Sequence, residues 1–459
     1  MNRSWLFPES KSLIDPAAVS IALRRVAQIS FGGLIITLPI RYRLVLIERP
    51  YPEIYREYSD VLLYASDVFM VLTVISWVLS FLIERKSPKI GPFFLTWPLI
   101  GLLGISFISV FFSVDPFLSA YNAVRLILLT LLYLFIVNEC RSLSSIILPT
   151  VAMTIIQCSV GISQVFEQTS LGLGSVGELE LNPGWSGVSV VAGEGIRWLR
   201  AYGLTDHPNI LGGCLAWSML VLLTWASSKS SRWIAVLAGV FGIASIGLFL
   251  TFSRAAWLAF FIAVLAFYIM LMRIRLKKPI FNSMSVIIAS LILLIPYLWS
   301  NLDLLGIRFN FRSSFENIPQ ENQSIGERLL LNQAGNKIFS SNPVTGIGLS
   351  AFPVALSMTN PDFPVDYQPA HFVLLDVAVE TGIFGALIFA ILIIVPWFVL
   401  WIDRRNIDFS PTLIGVSCLL IAVTALGFFD YYPWLLAPGR LLQWISWGLW
   451  GAFYQNAKR

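Results

Sequence analysis

Apolar residues run along this chain in long unbroken stretches separated by short polar segments, not in the alternating or one-sided patterns of a water-soluble fold. The stretches lie near 26–46, 60–83, 93–112, 118–138, 144–166, 207–227, 232–252, 254–272, 282–300, 371–401, 411–429 and 440–454. Most approach the roughly 20 residues that a helix needs to cross about 30 Å of hydrocarbon. The pattern predicts an all-α polytopic membrane protein with about 12 transmembrane helices and a large outer-side loop. A membrane β-barrel would show short alternating segments instead. The first run follows a mixed polar segment and ends in Pro39, Arg41 and Arg43, so it is expected to be a retained helix and not a cleavable signal.

Basic residues between the runs set the orientation, because short cytoplasmic loops collect Lys and Arg. With the first residues inside, inner segments hold 18 of the 31 basic residues, and both termini are therefore expected on the cytoplasmic side. Composition agrees: 57% of residues are hydrophobic and 12% charged, against roughly 25% charged in a soluble domain. The net charge of +5 follows from the inner loops and implies no nucleic-acid partner. Cys140, Cys158, Cys214 and Cys418 lie scattered without a CxxC pair, which points away from a disulfide framework or a zinc site.

Two outer segments are long. One spans about 167–206 and is rich in Gly; the other spans about 301–370 and has room for short helices of its own. Loops of this length in a compact fold usually carry function. The chain thus divides into 1–206, the first helices and first outer loop, and 207–459, the remaining helices with the loop 301–370.

Polar residues in and beside these segments narrow the chemistry. The only two histidines, His207 and His371, both stand at outer ends of spans. Around the first, the segment runs Arg200-Ala-Tyr-Gly-Leu-Thr-Asp-His207-Pro-Asn209, where Thr205 or Asp206 is expected to cap the next helix with Pro208 in its first turn. Ser253-Arg254 interrupts an apolar stretch, placing Arg254 at the start of a helix at membrane depth, where a charge is costly unless it meets a cavity or a partner. Arg328 lies in the second loop ahead of a helix reaching about residue 340 and the tight turn Asn342-Pro-Val-Thr-Gly-Ile-Gly348. His371 opens a long helix with Asp376 and Glu380, and Asp430 sits in the last outer turn near Arg440. For Asp376 and Glu380 a structural hydrogen bond is the expected role. Glu178-x-Glu180 is a weak candidate for a divalent ion. There is no Walker A loop, no HExxH and no Gly-x-Ser-x-Gly elbow.

In order and spacing, Arg200-x-x-Gly203 with His207-Pro-Asn209, Ser253-Arg254-Ala-Ala, Arg328 with the 342–348 turn, and His371 with Glu380-Thr-Gly382-x-x-Gly385 resemble the O-antigen ligase/polymerase superfamily over roughly 195–400. The resemblance implies a membrane glycosyltransferase of C-type fold in the bacterial cytoplasmic (inner) membrane, with its active site facing the periplasm or exterior. The donor it implies is an undecaprenyl-pyrophosphate-linked oligosaccharide and the acceptor a glycan or lipid. It further implies inverting, metal-independent transfer without a cofactor, among membrane lipids and beside a chain-length regulator or flippase.

Physical chemistry leads to the same place. Outside the membrane no ATP is at hand, so the donor must arrive activated, and a departing lipid pyrophosphate develops negative charge. Arg200, Arg254 and Arg328 can hold that charge through forked contacts to phosphate oxygens. His371 is the expected general base for the acceptor hydroxyl, with His207, Asn209, Glu380 and Asp430 in support. Two other classes stay open: a small-anion, bicarbonate-like transporter, and a non-catalytic component of a polysaccharide export complex.

Overall fold

The structure is a computed structural model describing residues 15–193, 196–229, 231–302, 306 and 319–458. Among the described residues ten helices are long and apolar enough to cross a membrane, including α1 (Pro16–Thr37), α3 (Ala65–Glu84), α4 (Phe93–Val110), α5 (Pro116–Glu139), α6 (Ser144–Glu167) and α7 (Pro208–Ser227). The others are α8 (Ser231–Leu250), α9 (Arg254–Arg273), α10 (Lys277–Ser300) and α13 (Val373–Ile402). Two further spans expected from the sequence are also helical, α14 (Pro411–Gly427) and α16 (Ala437–Ala457). The first has only 17 residues and the second carries Arg440 and Gln443, which lower its hydropathy. Both lie deep in the bundle, as does α7, so protein instead of lipid covers them. The molecule is an all-α polytopic membrane protein.

Pro at the first turn starts several of these helices, where its missing N–H costs nothing, and a side-chain acceptor completes the cap: Asp15 for α1, Asp115 for α5 and Ser410 for α14. Helix ends sort onto two faces. One face holds both ends of the described chain: Arg24 pairs with Glu84 at 3.1 Å, and Lys458 lies 3.7 Å from Asp403. The opposite face carries the irregular structure.

On that opposite face the run expected at 26–46 departs from a single span. Pro39 follows the end of α1, and Arg43–Ile47 form strand β1, paired antiparallel with β2 (Val61–Tyr64) across the short helix α2 (Arg56–Ser59). The cause is charge. Asp206 accepts from Arg41 Nε at 2.7 Å and from Arg43 Nη1 at 2.7 Å, which draws this segment onto the surface of the bundle. A second hairpin, β3 (Val190–Gly193) with β4 (Ile196–Leu199), lies in the first long loop. The second loop contributes α11 (Pro319–Ser341) and α12 (Phe352–Thr359), and α15 (Tyr432–Leu435) precedes α16. The expected helix after Arg328 therefore begins earlier, at Pro319, and Arg328 stands in its middle. Its residues 303–305 and 307–318 lie outside the described residues.

Candidate functional site

The 342–348 turn does not hang in solvent; it wedges into α13. At Gly382 the helix backbone turns to φ 74°, ψ −179°, which frees the carbonyls before it. Ile347 N donates to Val379 O and Gly348 N to Glu380 O, both at 3.0 Å, while Ile383 N donates to Pro343 O at 2.8 Å. On its other side Val114 N donates to Ile347 O at 3.0 Å. A Cβ on Gly382 would run into the Val344 carbonyl, and one on Gly346 into the Glu380 carbonyl. The Gly residues of both motif pieces thus let two backbones touch at membrane depth with their polar groups satisfied by each other. This joint sets the height of α13, and with it His371.

The Arg200-x-x-Gly203 segment is seated by two glutamines of α6. Gln164 receives from Gly203 N and donates to Gly203 O, both at 2.9 Å, and Gln157 receives from Leu204 N at 2.8 Å. Gly203 takes φ 58° and faces Gln157 so closely that no side chain fits. Buried Arg200 then points to the α8–α9 turn, Nε donating to Thr251 O at 2.7 Å, three residues before exposed Arg254. Its Nη2 donates to Asn209 Oδ1 at 2.8 Å, and Asn209 Nδ2 donates to Asp430 Oδ2 at 2.9 Å. Arg200, Asn209 and Asp430 therefore form one chain of hydrogen bonds.

Two capping expectations change. His207 itself caps α7, its Nδ1 receiving from Asn209 N at 3.1 Å while Ser189 Oγ meets Nε2 at 2.8 Å. Asp206 is taken by Arg41 and Arg43, and Thr205 donates to Tyr202 O at 2.8 Å. Both ring nitrogens of His207 are therefore engaged.

His371 is placed differently. Its backbone N donates to Asn332 Oδ1 of α11 at 2.9 Å, and its ring meets the Tyr431 ring edge-on at a centroid separation of 5.0 Å. His371 Nδ1 is covered and has no hydrogen-bond partner among the described residues. Burial, aided by the Arg328 cation and opposed by Asp430, lowers its pKa to about 4, so the imidazole is neutral at pH 7. Arg328 reaches the same corner, Nη1 donating to Phe429 O at 3.4 Å. Asp430 Oδ1 receives from Tyr431 N at 2.9 Å. The fold thus draws His371, Arg328, Asp430 and the Arg200–Asn209 pair together from four separate stretches of sequence, with Arg254 at the adjoining turn.

Other expected members stand elsewhere. Asp430 does not pair with Arg440. Arg440 is buried and donates from Nη1 to Asn122 Oδ1 at 2.9 Å, from Nη2 to Ser350 Oγ at 2.8 Å, and from Nε to Trp434 O. Glu380 belongs to this second cluster, receiving from Trp434 Nε1 at 2.8 Å, and Asp376 receives from Ala370 N at 2.9 Å. Each carboxyl accepts through one oxygen, while Asp376 Oδ2 and Glu380 Oε1 are buried without a partner among the described residues. Glu178 receives from Gln164 Nε2, Leu171 N and Leu173 N within 2.8 Å and leaves exposed Glu180 without it, so the metal reading of that pair fails. Tyr431, Tyr58 and Asn332 contact the His371 corner without any motif to announce them; aromatic residues at membrane interfaces are too common to single out.

Below this corner an apolar groove of about 520 Å³ opens between α9, α13 and α14, lined by Leu258, Ile262, Trp397, Ile421, Phe428 and Phe429. Phe429 joins the groove to the polar corner, since its carbonyl receives from Arg328.

Residues 239–390 match a family model described as O-Antigen ligase. The match spans Arg254, Arg328, His371 and Glu380 and stops short of Arg200, His207, Asn209 and Asp430. No curated protein matches the chain.

Proposed function

We propose that this member of the O-antigen ligase/polymerase superfamily moves a glycan from an undecaprenyl-pyrophosphate donor to a hydroxyl of a glycan or lipid acceptor, with His371 as general base. The family match supports glycan transfer of this type in general. The observation that carries the residue assignment is the neutral His371 ring, its Nδ1 unpartnered among the described residues, set against Asp430 and Arg328.

The acceptor oxygen attacks the anomeric carbon and its proton passes to His371. The bond from that carbon to the pyrophosphate oxygen breaks, and the electron pair leaves with the lipid pyrophosphate. One direct displacement inverts the anomeric centre. Arg200, Arg254 and Arg328 face the developing charge, which a preorganised site stabilises far better than water does. The positive charge they provide is what makes a metal ion unnecessary in this reading. The groove ending at Phe429 accepts the polyprenyl chain, and the corner above it is the periplasmic or exterior face of a bacterial inner membrane.

Purified protein incubated with native lipid-linked oligosaccharide tests this through lipid-pyrophosphate release and glycan length. A His371-dependent ladder of longer glycans identifies a polymerase; transfer only on adding a separate acceptor identifies a ligase. Release that survives His371→Ala overturns the base assignment. A second reading, small-anion transport, is favoured by the buried Glu380 and Arg440 side chains within the bundle. Ion flux in liposomes without any lipid-linked sugar would support transport over transfer.

A further inference from the structure

We propose that Tyr58, from the amino-terminal half of the chain, is a positioning residue for His371, acting through the hydroxyl–hydroxyl hydrogen bond it makes with Tyr431. The inference rests on the reading of His371 as the base, but it concerns a residue outside both the matched stretch and every motif.

In many catalytic pairs a carboxylate or carbonyl bonds one ring nitrogen and thereby fixes the ring. Here His371 Nδ1 has no such partner among the described residues, and both Asp430 oxygens are engaged by Tyr431 N and Asn209 Nδ2. The described contact that sets the ring's tilt is aromatic: Tyr431 lies edge-on to it at 5.0 Å and 86°. The orientation of His371 is therefore only as well defined as that of Tyr431.

Tyr431 is held at two points. Its backbone N donates to Asp430, and its hydroxyl meets the hydroxyl of Tyr58. Tyr58 is buried in α2, the short helix between β1 and β2, and it packs edge-on to both Tyr431 at 5.8 Å and Tyr55 at 6.1 Å. Tyr55 in turn donates to Asp366 Oδ2 at 2.8 Å, five residues before His371. Sideways swing of the Tyr431 ring about χ1 is restrained at the hydroxyl end by the bond to Tyr58, the one hydroxyl partner of Tyr431 among the described residues.

Tyr58→Phe removes that stop and keeps the ring packing, so the fold should persist. A small displacement of a catalytic group costs up to about 10²-fold. We expect kcat to fall about 10-fold in Tyr58→Phe with donor KM unchanged, and the same fall in Tyr431→Phe. The double variant should be no worse than either alone, because both remove one bond. In a His371→Ala background, Tyr58→Phe should have no further effect on residual turnover. Tyr55→Phe is the control, expected to keep kcat within about twofold since its bond lies at the surface.

A readout independent of activity separates this idea from the proposed function. The chain has only two histidines, so histidine-selective ¹⁵N labelling in nanodiscs should give two imidazole signal sets, with His371→Gln assigning one of them. At fixed pH, Tyr58→Phe should shift or broaden the His371 signals and leave those of His207 in place. Unmoved His371 signals overturn the inference even if His371 is the base. Moved signals in a protein whose turnover ignores His371 would keep the positioning and overturn the catalytic reading instead.

Discussion

A neutral imidazole, covered at one nitrogen and flanked by a carboxylate and a guanidinium, is the feature on which the chemistry turns. His371→Ala should lower kcat by roughly 10²–10⁴-fold, the usual worth of a general base, while donor affinity stays near wild type. Turnover and donor binding measured on the same preparation check this; loss of binding would place His371 in the donor site instead. The depressed pKa gives a second test. The ring works as a base only while unprotonated, and burial holds its pKa at about 4, so kcat/KM should stay level as pH falls through 6.5 and drop only near pH 4. An acidic limb at or above the ordinary imidazole value would mean that water reaches the ring. Arg254 is tested by charge-conserving change: Arg254→Lys keeps the cation and loses the fork, so donor affinity should weaken several-fold, and an unchanged affinity measured by titration would argue against a two-oxygen contact.

At the level of elements, the joint between the 342–348 turn and the broken α13 decides where the base stands. Gly382→Ala adds a Cβ against the Val344 carbonyl at a backbone angle that L side chains rarely adopt. We expect a loss of about 1–3 kcal/mol, the usual cost of a forced backbone conformation, seen as a lower unfolding temperature in detergent. The same variant should lose activity out of proportion to its folded fraction, because His371 rides on the start of this helix. A fully active and equally stable Gly382→Ala would show that the joint does not set the site. The glycines of the 342–348 segment were legible from the sequence as a turn, whereas the break at Gly382 falls inside a span expected to run unbroken over 371–401. That the two would meet was not legible, since about 35 residues lie between them and nothing local encodes a backbone contact across that gap.

For the molecule as a whole, the amino-terminal half is bound to the site and is not a separate anchor. Asp206 holds Arg41 and Arg43, Tyr58 holds Tyr431, and Asn122 and Ser350 hold Arg440. Asp206→Ala would leave two partly buried guanidiniums without this acceptor, at a cost of about 1–3 kcal/mol. Detergent unfolding should report that loss together with weaker donor binding, since Asp206 adjoins His207 and the Arg200 segment. Stability and binding both unchanged would detach β1 from the site.

Runs of apolar residues near membrane thickness are enough to determine the helical class and most limits of the apolar helices, because the bilayer leaves a spanning backbone few ways to satisfy its own hydrogen bonds. Polar residues also determined where to look: Arg254 was legible because a charge opening a helix in an apolar stretch is expensive, and Arg200, Arg328 and His371 because they stand in ordered motif pieces. The partners were not. Which acid turns toward which base depends on where helices far apart in sequence come to rest, and so Asp206 left the cap of α7 for two arginines, Arg440 found Asn122 and Ser350, and Glu178 closed on backbone amides. Hydrophobicity is a property of each residue and survives reading in one dimension; a hydrogen bond belongs to a pair, and only the packed bundle chooses the pair.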